Sequence, residues 1–432
     1  MPTLIQQIRN IAFWTLDLAK GSAIKKHVAE IKQSIELQDE SLRKAQQATK
    51  LKTILVHTVK TVPFYKNYNA DSIQDFPVVD KNFIRERPDE FLSTDFNDAT
   101  RFKAVTSGST GTPFKVFHDK NKKQRNSADT IYFAKRAGFS VGDKLVYLKI
   151  WSENNKKSKL LRLMQNIHPL DVIHLNDEKI RDFINEIENS KARIGFLGYS
   201  SALELVARYL EKINSPVINA NVASIISMSE GLNQYTKDTL PKFFKVNPVS
   251  RYSNIENGII AQQEINGKNE FLINDASYFV EIFDFDSDIP VKNGELGRII
   301  VTDLYNRAMP MIRYDTGDVG AFLPGKDNYF QRIEGRKLDL IYDTKGNLIS
   351  SYIVYKNMWQ YIEIAQYQFV QYGEKDYVFK INTTESFQKE EKLVNEFKEY
   401  LGQDANFTVE YVDEIPLLAS GKRKKIMNTF HK

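Results

Sequence analysis

Thr106-Ser107-Gly108-Ser109-Thr110-Gly111-Thr112-Pro113 places five small hydroxyl residues and two glycines in eight positions. Such a run buries nothing, so it does not read as a packed helix or strand. Glycines and short hydroxyls instead let backbone N–H and O–H groups approach an anion closely. Phe102-Lys103-Ala104-Val105 before it and Phe114-Lys115-Val116-Phe117 after it read as strands. The pattern is therefore a strand–loop–strand cradle suited to an oligophosphate. It is not a Walker A loop, which needs Lys and Ser/Thr directly after the second glycine and a helix there. A Ser/Thr/Gly surface turn has the same composition, and the loop alone does not separate the two readings.

The 432 residues are too many for one ordinary core and predict two domains. A hydrophobic content of 42% with 27% charged residues is that of a globular protein. The net charge of +5, from 60 basic and 55 acidic side chains, gives little pull on nucleic acid. With no cysteine, disulfides, thiolate metal ligands and a thiol nucleophile are excluded. No apolar run reaches the roughly 18 residues a membrane span needs. Arg9, Asp17 and Lys20 interrupt the N-terminal apolar residues, which reads against a signal peptide. A cytoplasmic protein is expected. Leu4, Ile5, Ile8, Ile11, Ala12, Trp14, Leu16 and Leu18 still make a greasy first segment. It is expected to dock on the protein's own body, with contact to the inner membrane face or to a polysaccharide assembly as the alternative.

Residues 25–60 read as one helix ending before Pro63. From about 130 to 250 helical and strand patterns alternate. Ile180, Phe183, Ile184 and Ile187 share a helical face behind Asn176 as N-cap. Ile194-Gly195-Phe196-Leu197-Gly198 reads as a buried strand, Ser200 opens a helix carrying Leu203, Val206 and Leu210, and Val222-Ala223-Ser224-Ile225-Ile226 is the next strand. This alternation predicts an α/β fold with a mainly parallel sheet. Between 270 and 335, Phe279–Phe283 and Arg298–Val301 predict a smaller β subdomain. After Arg336 the order strand, helix, two strands, helix (386–401) and strand (407–411) predicts a small α+β lobe. The domains are thus expected at 1–335, with a helical extension over 1–60, and 336–432. Lys156-Lys157-Ser158-Lys159 reads as a solvated loop.

Four further motifs follow the loop in order: Tyr252-Ser253-Asn254-Ile255-Glu256, Tyr314-Asp315-Thr316-Gly317-Asp318, Gly335-Arg336-Lys337-Leu338-Asp339 and Ser420-Gly421-Lys422. The series resembles the acyl-adenylate-forming superfamily, and best its phenylacetate–CoA ligase-like branch, including members encoded with capsular-polysaccharide genes. Val62-Pro63-Phe64-Tyr65 and Phe76-Pro77-Val78-Val79-Asp80-Lys81 resemble the N-terminal features of that branch. The resemblance runs from about residue 60 to the C-terminus and lies in the number and order of motifs. It implies a large α/β domain, a small mobile C-terminal lobe, and ATP- and Mg²⁺-dependent activation of a carboxylate.

The resemblance assigns parts to individual residues. Thr106, Ser107, Gly108, Ser109, Thr110 and Gly111 would hold the β- and γ-phosphates. Glu256 would hold Mg²⁺, which a hard carboxylate oxygen suits; a lone Glu is otherwise a solvated side chain. Tyr252 and Ser253 would line the nucleoside, and Glu230 in Ser227-Met228-Ser229-Glu230-Gly231 the adenine or acyl side. Asp318 would accept hydrogen bonds from the ribose hydroxyls, with Arg336 as a second ribose or phosphate contact; Gly317 also marks an ordinary turn there. Lys422 would bring its ammonium to the α-phosphate and carboxylate, although Arg423, Lys424 and Lys425 also fit a basic tail. Phe196, Tyr199 and Ser200 would wall the acyl pocket, a role that core packing of a strand-end aromatic competes with. Lys337, Leu338 and Asp339 would form the hinge. Ser253 stands where relatives have Gly, Ile255 where they have a hydroxyl residue, and Leu338 where they have a polar pivot.

Acyl transfer to the thiol of CoA is the expected second step. The alternatives are transfer of an acyl group or amino acid to an amine or sugar acid in capsule or O-antigen synthesis, or an inactive relative acting as an interaction protein. An unrelated phosphotransferase would need a base near the loop. His118 is the one candidate, and beside Asp119 it reads as a surface residue.

Overall fold

The computed structural model describes every residue except 106–113, 152–157, 173–174, 337–339, 350–351, 359, 362, 384–385, 417–423 and 431–432, with backbone alone at 336, 348, 352, 355 and 356. Three helices lead: α1 (Leu4–Ala19), α2 (Ala23–Ile35) and α3 (Glu40–Thr61). The single helix expected over 25–60 is two. The chain breaks at 36–39, where the Asp39 carboxylate accepts the Leu42 N–H and starts a new helix. Strand β1 (Val79–Asp80) and helix α4 (Lys81–Glu86) precede the hairpin of β2 (Phe102–Val105) and β3 (Lys115–His118), whose arms flank residues 106–113. Helix α5 (Lys120–Arg136) follows, capped by Asp119.

The alternating region is β4 (Lys144–Lys149), α6 (Lys159–Met164), β5 (Ile167–Asp171), α7 (Asp177–Glu188), β6 (Ile194–Tyr199), α8 (Ser200–Lys212), β7 (Val222–Met228), α9 (Gln234–Phe244) and β8 (Val249–Asn254). Asn176 caps α7 as read from sequence. Ser158 caps α6, so Lys159 opens a helix instead of ending a loop. Strands β5-β4-β6-β7-β8 pair in parallel. The sheet then turns antiparallel through β9 (Gly258–Gln263), β10 (Phe271–Ile273), β11 (Tyr278–Phe283), β12 (Gly297–Asp303), β13 (Tyr314–Leu323) and β14 (Lys326–Arg336), in the order β8-β9-β10-β14-β13-β12-β11. β1 joins β13 in parallel, Val79 opposite Tyr314 and Asp80 opposite Asp315. Two motifs far apart in sequence are therefore neighbours in one sheet.

Strands β8 and β13 have β9, β10 and β14 between them. At roughly 4.8 Å per strand they would lie about 19 Å apart in a flat sheet. Yet Tyr252 on β8 hydrogen-bonds Asp318 on β13 at 2.8 Å. The antiparallel half is thus rolled over on itself, around a core of Ile260, Ile273, Tyr278, Ile299, Val301 and Phe330.

Residues 341–428 form their own sheet, β19-β18-β17-β20, from β17 (Ile364–Gln371), β18 (Asp376–Thr383), β19 (Asn406–Tyr411) and β20 (Ile426–Asn428), after the small hairpin β15 (Ile341–Tyr342) and β16 (Leu348–Ile349). Helices α10 (Tyr352–Met358) and α11 (Glu390–Leu401) complete a core centred on Phe369, Phe379, Leu393 and Phe397. Strand β20 has no counterpart in the sequence reading. The whole is an α/β fold with a rolled β subdomain and a small α+β lobe.

Helix α1 does dock on the body, but by its polar side chains and not the apolar ones expected. Gln6 donates to the Arg193 carbonyl at 2.7 Å, Asn10 donates to that of Val141 at 2.8 Å, and Asp17 accepts the N–H groups of Ile24 and Lys25. Helix α5 also turns charges inward. Lys122 and Asp303 are both fully buried, with Nζ 2.6 Å from Oδ2. Asp303 also accepts the N–H groups of Tyr305 and Asn306, shaping the turn that leads into the Tyr314–Asp318 motif. Lys122→Met leaves Asp303 charged and unpaired in the core. It should cost about 3–5 kcal/mol in urea unfolding, and adding Asp303→Leu should recover most of that loss.

Candidate active site

Three neighbouring parallel strands end side by side, and their carboxyl ends carry Tyr199-Ser200, Ser229-Glu230 and Ser253-to-Glu256. Ligands of open α/β sheets collect outside such ends, where strand order or direction changes, and β8 is where this sheet turns antiparallel. Tyr252 spans the opening. Its hydroxyl donates to Asp318 Oδ2 at 2.8 Å and lies 3.3 Å from Thr316 Oγ1, and its ring packs edge-on against Phe330. Burial, then the Asp318 charge, pushes the phenol well above its ordinary value, so it remains a donor. Asp318 lies opposite Arg336 in the β13–β14 ladder, a register that brings the two residues together.

The other side chains of the Tyr314–Asp318 motif shape its turn. Asp315 accepts from Arg298 and from the Gly317 N–H, each at 2.8 Å, and Thr316 Oγ1 donates to the Ile299 carbonyl. Gly317 has φ +75°, left-handed backbone that a glycine adopts without strain. This leaves Asp318 as the acid of the motif aimed at the opening.

Glu256 is 7% exposed. Among the described residues the one donor to its carboxylate is the Tyr314 hydroxyl, at a long 3.4 Å. Its backbone is held from below: the Glu256 carbonyl lies 2.9 Å from His118 Nε2, at the base of the β2–β3 hairpin. His118 is therefore a correction to the sequence reading. It is 6% exposed, and burial together with the nearby Lys122 ammonium holds its imidazole below the ordinary value. A neutral ring donating Nε2–H to a carbonyl suits a positioning residue, not a surface one. Next to Glu256, Asn257 is fully buried, and its side-chain amide has no hydrogen-bond partner among the described residues. Ile255 is 48% exposed and points out.

Glu230 caps a helix: Oε2 accepts the Ser201 N–H at 2.9 Å at the start of α8, and its carbonyl accepts from Ser200 Oγ at 2.8 Å. Ser200 is buried against Ser227 as well. Both residues therefore stand beside the opening, already occupied with each other. Tyr199 is half-buried, and burial raises its phenol above the ordinary value. Phe196 takes the core-packing role that the sequence reading set beside the pocket one: it packs against Phe183 and Phe244 in the helix-covered core. Thr106 to Gly111, Lys337, Leu338, Asp339 and Lys422 lie outside the described residues, as does the side chain of Arg336.

Glu204 and Lys425 were not legible as partners. Lys425, three residues after Lys422, reaches from the small lobe to Glu204 on α8 at 3.2 Å, and its ammonium lies over the Tyr367 ring. Glu204 also accepts from Asn233 and Arg208. Burial would raise its carboxyl, but the Lys425 and Arg208 charges bring it to about 2. This bond ties the lobe to the helix that begins at Ser200.

The CapK C-terminal domain family matches residues 341–429. Protein CapK of Staphylococcus aureus is 24% identical over 380 residues, covering 84% of this chain and 82% of its own length. Phenylacetate-coenzyme A ligase of Pseudomonas putida is 22% identical over 340 residues, with 68% and 71% covered. The crystal structure of 2-hydroxyisobutyryl-CoA ligase in the postadenylation state superposes with a TM-score of 0.71 at 15% identity, covering 91% of each chain. The fold is thus that of the acyl-adenylate-forming ligases. In sequence the chain is similar to CapK and to phenylacetate-coenzyme A ligase.

Two outcomes follow from the geometry. Asp318→Ala should leave the fold intact and lower kcat/KM for ATP by roughly 10- to 150-fold, since charge-assisted hydrogen bonds contribute about 1.5–3 kcal/mol; a value within twofold of wild type would make Asp318 a turn residue only. The Glu204 carboxyl is depressed in the folded state, so its contribution is present above its ordinary 4.5 and lost as pH falls towards about 2. Unfolding free energy measured across that window should fall less steeply in Glu204→Gln than in wild type.

Proposed function

We propose that this protein activates a carboxylic acid with ATP, forming an acyl adenylate and releasing pyrophosphate, and then passes the acyl group to an acceptor. The observation that carries this is the closure of Tyr252 onto Asp318 beside Glu256, at the carboxyl ends of the parallel strands of this fold. Two anions must react when a carboxylate attacks the α-phosphorus, so the site has to neutralise charge and align the groups. Asp318 orients the nucleoside through the ribose hydroxyls, with Arg336 next to it. Tyr252 and Ser253 flank the base, and Glu230 and Ser200 border the acyl side.

Among the described residues the buried Glu256 carboxylate has a single long hydrogen bond and the Asn257 amide beside it has none, an arrangement that suits a divalent ion shared with phosphate oxygens. Magnesium held there would supply charge neutralisation on the phosphates. Residues 106–111 are assigned to the β- and γ-phosphates. Lys422 is assigned to the α-phosphate, and the Lys425–Glu204 bond supports that assignment by tying the neighbouring chain to α8. The division at 335/336, with a pivot over 337–339, belongs to the same reading.

CoA is the acceptor we favour, because phenylacetate-coenzyme A ligase is among the relatives and covers most of both chains. Transfer to an amine or sugar acid is the second reading, favoured by the similarity to CapK.

Acid-dependent ATP–pyrophosphate exchange, screened over carboxylic acids with and without Mg²⁺, tests the first step. Cleavage to ADP and phosphate would overturn it. Lys422→Ala should lose exchange far more than nucleotide binding, while still completing transfer from a pre-formed acyl adenylate. Equal loss in both half-reactions would remove Lys422 from its assigned role.

A further inference from the structure

Helix α1 is amphipathic the wrong way round for a helix docked on a protein. At 100° per residue, Leu18, Ile11, Leu4, Ile8, Ile5 and Leu16 fall within an arc of about 160°. All six are between 52% and 71% exposed. The opposite face, Gln6, Asn10 and Asp17, is the one bonded to the body. A folded protein does not ordinarily leave so wide an apolar stripe on its surface without something to cover it.

A second helix does the same beside it. In α6, Leu160, Leu163 and Met164 are 68%, 64% and 59% exposed. Asn166, just past the end of α6, donates to the Gly142 carbonyl at 3.0 Å. A Cβ on Gly142 would in turn lie 2.3 Å from the Gln6 carbonyl of α1, so Gly142 touches both helices' anchors. Both helices therefore sit at the amino ends of the parallel strands and form one surface, at the opposite end of the sheet from the candidate active site.

The charges around this surface are mostly basic, with Glu186 the acid beside Lys144 and His168. Asp17 is the sole acid among the first 29 residues, and it is buried and bonded to two backbone N–H groups. Lys20, Lys25 and Lys26 are exposed, and Arg9 borders the arc. Beside α6 an open cleft of about 270 Å³ is lined by Lys144, Lys159, Arg162, Asn166 and His168. Arg162 Nε is buried there without a hydrogen-bond partner among the described residues. An apolar stripe rimmed by lysine and arginine, with a cationic cleft next to exposed leucines, fits a bilayer surface bearing anionic headgroups.

We infer that α1 and α6 together seat this protein on an anionic membrane surface, with acyl chains against the apolar arc and headgroup phosphates at the Lys159–Arg162 cleft. Attachment by this end leaves the candidate active site facing the aqueous side. The full chain should co-sediment with vesicles of phosphatidylglycerol and phosphatidylcholine in equal parts and bind pure phosphatidylcholine vesicles weakly. Ile8→Glu/Ile11→Glu, both positions exposed, should lower the partition coefficient about tenfold or more with an unchanged circular dichroism spectrum. Lys159→Glu/Arg162→Glu should lower it roughly fivefold per charge in low salt, and less in high salt. Leu4→Gln/Ile11→Gln, which adds no charge, serves if the glutamate variant misfolds and should also weaken binding. Absence of wild-type binding to the anionic vesicles overturns the inference, as does binding that the arc variants leave unchanged. So does a wild-type dimer in sedimentation velocity that the arc variants dissociate without any vesicle binding, since a second copy would then cover the arc.

Discussion

The hydrogen bond between Tyr252 and Asp318 is the constraint on which the site depends. It joins strands that are four positions apart in the sheet, and it forms only because the antiparallel half rolls back on the parallel half. The roll is driven by burial of the aliphatic and aromatic side chains around Phe330, not by the polar pair itself. The polar pair then uses the closure. A phenol that burial keeps protonated donates to Asp318 Oδ2 and fixes the orientation of that carboxylate.

Around that closure the backbone is held by groups that do no chemistry. His118 fixes the Glu256 carbonyl, Asp303 shapes the turn into β13, and β1 braces β13 from its other edge. Lys122 supports this frame from α5 through an ion pair with no exposed surface. Such pairs add little net stability against an apolar replacement, yet removing one partner is costly. Their consequence here is positional: they leave the Tyr314–Asp318 turn one way to sit.

The small lobe meets the body through charge at Lys425, which bonds Glu204 on α8. The Lys425 and Arg208 charges together keep the buried Glu204 carboxyl below its ordinary value.

Local signals in the sequence determined much of this protein. The Asn176 cap, the apolar stripe of α7, the strands around Gly195 and Val222 and the turn at Gly317 all depend on residues within one or two turns of each other. The order of the motifs determined the fold class, and Tyr252, Asp318 and Glu256 do converge. Tertiary structure alone decided which side chains face inward. His118 is buried because β3 carries it under Glu256, and Phe196 is core because α7 and α9 cover its side of the sheet. Lys122 and Arg125 are buried on α5 because their partners come from β11, β12 and α2. In α1 the periodicity identified the apolar arc, but the body offered backbone carbonyls at Val141 and Arg193 that only the polar face could satisfy. Periodicity fixes which residues share a face; which face is buried depends on the groups waiting opposite, and those come from distant parts of the chain.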